Sequence, residues 1–330
     1  MNGYADYGSW TYQDVREVSL STPAETVFAI FVTVGSLFLM GLFFLVAGLL
    51  AEDSLARKHR GRFVRDRLIR LGVPFAVFTL VLWPLVELVM FESTGYDQTY
   101  WFWFSPDPYL DNGPVWFVGV LLVFSLLYAA LPRPARDEPR TALGARHLVV
   151  LAAVVGASSF LVRLVFPIGS EQFLNPHFFQ WSQLGWAFAL GAVAARRGWL
   201  RPVPDRLARG CAIATLFATL TIAAIVVSAE PLGYEPDIFY GGWALAPLLA
   251  ATFEGILAVT APIWLLHVAQ HRLDRAGPIL ADLARSSYAA YLLQAPVLVG
   301  LALLLRPVAL AGDAKALAVG VLGVVASFGL

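Results

Sequence analysis

The chain reads as long apolar runs separated by short polar ones, with no sustained period-two alternation. A helix that crosses a bilayer needs about 20 predominantly apolar residues. Nine runs of that kind stand at 26–51, 72–91, 114–131, 147–167, 178–195, 209–229, 243–270, 286–305 and 314–330. The fifth is the weakest, because Gln180, Ser182 and Gln183 fall at its start. No internal repeat or long linker separates the runs. The pattern therefore predicts an all-α fold, a polytopic transmembrane helical bundle forming one membrane domain over 1–330.

Composition agrees with the pattern. Of 330 residues, 58% are apolar and only 14% charged, against about 25% charged in a soluble domain. Net charge is zero and there is one cysteine, Cys211. An internal disulfide is thus excluded, and Cys211 is expected as a small lipid- or core-facing residue. No metal site and no bound cofactor are expected.

Charge in the connections sets the topology. Segments 57–70, 133–146, 196–209 and 272–285 hold 19 of the 23 Lys and Arg residues. The alternate connections are acidic: Glu92, Asp97, Asp107 and Asp111 in 92–113, then Glu230, Glu235 and Asp237 in 230–237. Short loops with excess Lys and Arg stay cytoplasmic, so the four basic segments are expected inside the cell, with the protein in the plasma (inner) membrane. Residues 1–25 are then an external loop. Nothing before them carries them across, so a further helix upstream of Met1 is expected, as is a continuation past the apolar ending VLGVVASFGL. That gives nine visible helices of an expected ten.

Ionisable groups inside membrane helices are costly and face the protein interior or a water-filled cavity. Glu87, Arg163, His177, Glu254, His267 and Gln294 form the short list of polar positions. Glu87 and Arg163 serve equally well as snorkelling side chains at the interface. His177 fits an interfacial place or a site, and Gln294 an interhelical hydrogen bond. His267 reads as interfacial. Glu254, near the middle of the seventh run, must be protonated, paired or hydrated.

The stretch HRGRFVRDRLIRLGVPF at 59–75 carries arginines at 60, 62, 65, 67 and 70. A positive-inside anchor or a leaflet-binding segment explains that charge without further help. Nucleic acid is not an expected partner, because the cluster lies within a helix turn or two of the bilayer. The spacing of Arg67 and Arg70 is more specific: three apart, they share a helical face and suit bidentate capture of a phosphate or carboxylate. Gly72 and Pro74 follow as candidates to break or kink the helix.

The run FLMGLFFLVAGLLAEDSLARKHRGRFVRDRLIRLGVPF resembles the acyltransferase 3 family of bacterial integral membrane O-acyltransferases. So do NGPVWFVGVLLVFSLLYAAL at 112–131, WAFALGAVAARRGWL at 186–200 and SSYAAYLLQAPVLVGLALL at 286–304. The resemblance implies a ten-helix domain moving an acyl group, often acetyl, from a cytoplasmic acyl-CoA donor. The acceptor it implies is a hydroxyl of a glycan, lipid-linked sugar or small metabolite. It carries an R-x-x-R motif onto Arg67 and Arg70 as donor-phosphate contacts. It also implies a histidine base on a helix upstream of Met1, with GYADYGSW at 3–10 as the loop after it, so no catalytic residue is assigned in this chain. Gln294 stands where many relatives have histidine. Acceptor-side candidates are Asn112, Trp116 and His177, with Arg163 and Glu254 in the cavity. Interfacial anchoring for Trp116 and capping for Asn112 are equally compatible. A secondary transporter or exporter of a small polar molecule is the competing reading, disfavoured by the lack of repeat symmetry.

Overall fold

A computed structural model describes residues 18–94, 111–132, 143–170, 172–273 and 277–329. The segment GYADYGSW, Asp97, Asp107, Arg275 and most of the basic connection 133–146 lie outside the described residues. The helices are α1 Thr22–Ser36, α2 Leu39–Arg57, α3 Arg60–Arg67, α4 Val73–Val77, α5 Trp83–Thr94 and α6 Trp116–Ala130. They continue with α7 Ala145–Arg163, α8 Trp181–Arg197, α9 Asp205–Ala229, α10 Leu245–Arg272, α11 Pro278–Leu305 and α12 Gly312–Gly329. Among the described residues there is no strand, and eight helical stretches are long and apolar enough to cross a membrane. The remaining run, the fifth, is α8, which has 17 residues and begins with polar side chains. The all-α transmembrane architecture read from the pattern is the one observed.

The outward faces are apolar, as a lipid environment requires. On α9, Ile213, Leu216, Phe217 and Leu220 are 60–70% exposed, while Cys211, Thr215, Ala218 and Ile222 are buried at helical spacing on the opposite face. Cys211 is therefore core-facing.

One boundary differs instructively from the sequence pattern. The second helix does not begin near residue 72; helical structure starts at Arg60 and runs through Thr94. The basic stretch after Arg60 is thus helix rather than loop. Gly72 and Pro74 do not break it. Two π-helical segments, Leu68–Gly72 and Phe78–Leu82, interrupt the α geometry. Each ends two residues before a proline, Pro74 and Pro84. A proline lacks an N–H and its ring crowds the carbonyl four residues back. A widened turn with i→i+5 bonding, as from Val73 N–H to the Leu68 carbonyl, absorbs that conflict without ending the helix. Likewise α11 starts at Pro278 rather than 286, taking up much of the fourth basic segment.

The chain forms two compact units. One comprises Met1–Val32, Phe75–Val115 and Arg275–Leu330; the other comprises Thr33–Pro74 and Trp116–Asp274. In the first, α11 packs on α12 and α5. Ser21 donates from its backbone N–H and hydroxyl to Asp313 at 2.9 and 2.6 Å, and Arg306 donates to the Ser93 carbonyl at 2.6 Å. In the second, α2 packs on α8, and α10 packs on α7 and α9. The α2–α8 crossing is close because both helices present glycine: a Cβ on Gly48 would lie 2.1 Å from the Phe188 carbonyl oxygen, and one on Gly191 2.1 Å from that of Leu45. Small residues allow this backbone approach in membranes, where packing rather than hydrophobic exclusion holds helices together.

Candidate functional site

In the second unit, helix α6 carries candidate chemistry at both ends. Its C-terminal half lies antiparallel to the arginine-rich start of the preceding helix. Arg60 donates to the Leu131 carbonyl at 3.1 Å, and Gly72 faces Leu122. Phe63 is the buried anchor of α3. The Arg67 guanidinium lies 5.0 Å from the Phe63 ring centre, a cation–π contact that fixes its direction. Arg67 is half-buried and Arg70 exposed. They are close enough to repel each other. Asp66 is ion-paired with Lys58 and feels Arg62 and Arg70 as well. Arg67 closes α3 and Arg70 falls in the π segment, so the pair straddles a change of helical geometry.

The basic segment 196–209 reaches the flanks of two other basic segments at this end of the unit. Arg201 bridges Asp53 at 2.7 Å, beside the end of α2. His147 at the start of α7 lies 6.2 Å, ring to ring, from Trp199 after α8. A cleft of about 300 Å³ opens along the same half of α6, lined by Phe124, Leu127, Tyr128, Leu131, Phe188 and Arg196 among others. Tyr128 donates to Glu52 at 2.5 Å, which keeps a phenol and a carboxylate together near this end.

At the other end of α6, Trp116 stacks on His177, with ring centres 4.4 Å apart and planes inclined by 27°. Trp116 is buried, which rules out simple interfacial anchoring. His177 sits in a loop where Leu174, Asn175 and His177 itself all have positive φ, at 59°, 35° and 52°. Three non-glycine residues in that region within four positions mark a backbone held by its surroundings. The restraints are visible: Trp181 donates to the Pro176 carbonyl at 2.8 Å, and His177 Nδ1 bonds the Asn175 carbonyl at 2.7 Å. A carbonyl only accepts, so Nδ1 carries the proton and Nε2 is the basic nitrogen.

Between α7 and α10 lies a buried polar knot. Arg163 is ion-paired with Glu254, their side chains 3% and 0% exposed, and Ser159 donates to Glu254 at 3.0 Å. Arg163 therefore does not snorkel, and Glu254 meets the requirement set by its depth through pairing. Ser159 precedes Arg163 by one helical turn, so the hydroxyl and the guanidinium share the face turned to α10. Gly156 and Gly255 let these backbones approach: a Cβ on Gly255 would be 2.3 Å from the Ala152 carbonyl oxygen.

Asn112 belongs to the first unit and is buried. The cap before Val115 is not its side chain: the Asp111 carboxylate accepts from the Asn112 and Gly113 N–H groups at 2.6 and 3.1 Å. Glu87 is also buried in that unit, 2% exposed, which removes the snorkelling reading. Gln294 is half-buried in α11.

The structure thus brings together Arg67 with Arg70, Trp116 with His177, and Arg163 with Glu254. The first pair lies beside the C-terminal half of α6, where Gly72, two residues past Arg70, faces Leu122, and the second lies at its start. Sequence reasoning missed Ser159, legible only from its one-turn spacing to Arg163, and Asp111, whose place before Gly-Pro is a turn signal. It also missed Asp205 and His271 beside His267.

A family model described as an acyltransferase domain, Acyl_transf_3, matches residues 7–330. The chain belongs to the acyltransferase 3 family. It is a multi-pass membrane protein of an acyltransferase family, and this membership decides against the exporter reading. No curated protein and no solved structure matches it.

Proposed function

We propose that this acyltransferase moves an acyl group, acetyl in the simplest case, from a cytoplasmic acyl-CoA to a hydroxyl acceptor. The acceptor class is a glycan, a lipid-linked sugar or a small metabolite reached from the outer side of the inner membrane. The observation that supports this reading is that Arg67 and Arg70 lie beside the C-terminal half of α6 while Trp116 and His177 lie at its start. By the positive-inside rule the arginine end faces the cytoplasm. A donor anchored there must deliver its acyl group toward the far end. Acyl-CoA suits this, because its phosphates and its thioester are joined by a long flexible arm. Arg67 and Arg70 take the phosphates, and the apolar cleft along α6 takes the arm.

The reaction forms an ester bond between the acceptor oxygen and the acyl carbon and breaks the carbon–sulfur bond. The acceptor proton passes to a base and then to the departing thiolate. A base must come within about 3 Å of that proton. Within this reading His177 Nε2 takes that role at the acceptor end, supported by the contact of Nδ1 with the Asn175 carbonyl. The family resemblance implies instead a histidine on a preceding helix, and His177→Ala separates the two.

The test uses membranes containing the protein and acetyl-CoA labelled in the acetyl group. Label is expected to reach an acceptor, and the double variant Arg67→Ala/Arg70→Ala is expected to abolish transfer. Transfer at the wild-type rate in that variant would sink the donor assignment. Loss of transfer in His177→Ala places the base at the acceptor end of α6; full retention places it elsewhere.

A further inference from the structure

The loop joining α8 to α9 is fixed to α10 in a way the acyl-transfer reading does not use. Gln270 donates through its side-chain amide to the Leu200 carbonyl at 2.7 Å and accepts from the Val203 N–H at 3.0 Å. Leu200 and Val203 are buried. This clamp sets Asp205, the first residue of α9, beside His267 and His271, one turn apart near the end of α10. The Asp205 carboxylate oxygen lies 3.9 Å from His267 Nε2 and 4.0 Å from His271 Nε2. One ligand atom from each of the three falls within 4.8 Å of the others.

Both imidazoles are oriented for ligation. His267 Nδ1 faces the Val203 carbonyl at 3.3 Å, and His271 Nδ1 faces the His267 carbonyl at 2.9 Å. Carbonyl oxygens accept, so each Nδ1 holds its ring's proton and each Nε2 turns a lone pair toward Asp205. Backbone carbonyls fixing the second nitrogen are the usual support of metal-binding histidines. The two rings lie with centres 4.1 Å apart, as expected for histidines at i and i+4 on one helical face.

We infer that Asp205, His267 and His271 form a site for a divalent transition ion, zinc above all, with water completing the coordination. Ligand atoms about 2.0–2.2 Å from a tetrahedral ion are about 3.3–3.5 Å apart. The two Asp205–histidine separations exceed that by roughly half an ångström and the third pair of ligand atoms lies within 4.8 Å, gaps that side-chain rotations close. Calcium and magnesium are disfavoured, because they want several oxygen ligands and only one carboxylate is present in a connection rich in arginine. Imidazole selects zinc, nickel, cobalt or copper instead. With Asp205 and His271 largely exposed, the ion has an open path. Bound there, it would pin the α8–α9 loop to α10 at the arginine end of the unit.

The experiment uses the full chain in detergent, carrying an affinity tag without histidine. Zinc per chain is measured after gel filtration, and cobalt substitution is followed by visible absorption. One equivalent per chain and a tetrahedral cobalt spectrum are expected. His271→Gln and, separately, the isosteric Asp205→Asn should weaken binding by more than about 100-fold, beyond the cost of losing a second-shell partner. Saturating zinc should raise the Tm of the wild type by about 5 °C and of neither variant. No bound equivalent in the wild type, or equal binding in wild type and Asp205→Asn, overturns the site. Acyl transfer is not part of the readout, so neither outcome touches the reading of Arg67, Arg70 and His177.

Discussion

Arg163 and the Arg67–Arg70 pair use the same side chain under opposite conditions. Arg163 is 3% exposed and paired with Glu254, which Ser159 also contacts. Arg67 is half-buried against Phe63, and Arg70 is exposed beside it. A buried charge exacts a desolvation cost that only a well-placed partner offsets, so Arg163 is committed to the fold. A guanidinium near water keeps its solvation, the condition that the proposed donor contact needs. The contrast separates an arginine that positions helices from the arginines proposed to bind the donor.

The sharpest way to break that contrast is to remove one half of the buried pair. Glu254→Ala leaves Arg163 charged and unpaired in a dry helix interface, at a cost of roughly 3–5 kcal/mol. The variant should lose folded protein, read as a large drop in Tm in detergent. Arg163→Met combined with Glu254→Leu removes both charges and should recover most of the loss. A double variant as unstable as the single one would show that the pair does more than neutralise itself. In the same knot, Ser159→Ala removes one hydrogen bond to a carboxylate, worth about 1.5–3 kcal/mol. A smaller but measurable Tm loss is expected, and no loss at all would mean that Glu254 is held by Arg163 alone.

The two kinds of arginine differ also in how far the sequence reveals them. The apolar runs were enough for the helices, because a bilayer forces stretches of about 20 apolar residues. Depth alone singled out Glu254 and Arg163, but not that they meet, since α7 and α10 are separated by some 80 residues of chain and their crossing depends on Gly156 and Gly255. The start of the second helix was misplaced at 72, because Arg60–Arg70 read as a polar loop by hydropathy while Phe63 and Leu71 anchor it as helix. The π segments before Pro74 and Pro84 follow from proline chemistry, yet a break and a widened turn begin with the same signal. The His177 loop could not be read at all: positive φ at Leu174, Asn175 and His177 violates local preference and is enforced by packing around Trp181 and Trp116.

Arg67 and Arg70 should give the smallest structural effect and the most informative functional one. Substituting Arg70 touches a surface position and should change stability by no more than about 0.5 kcal/mol. Arg67 adds its contact over Phe63, about 0.5–1 kcal/mol at an accessible site. Arg67→Lys/Arg70→Lys should therefore leave Tm within a few degrees of wild type. It keeps both charges but removes the planar fork that grips a phosphate through two N–H groups. If the arginines act only as topology anchors, the lysine variant should transfer acetyl at the wild-type rate. If they grip the donor, KM for acetyl-CoA should rise with the helices intact, and added salt should raise it further by screening charges near water. An unchanged KM in the lysine variant, set beside a lost activity in the alanine variant, would assign the pair a purely electrostatic part. That outcome would narrow the contrast with Arg163 to burial alone, since bidentate geometry would then matter at neither site.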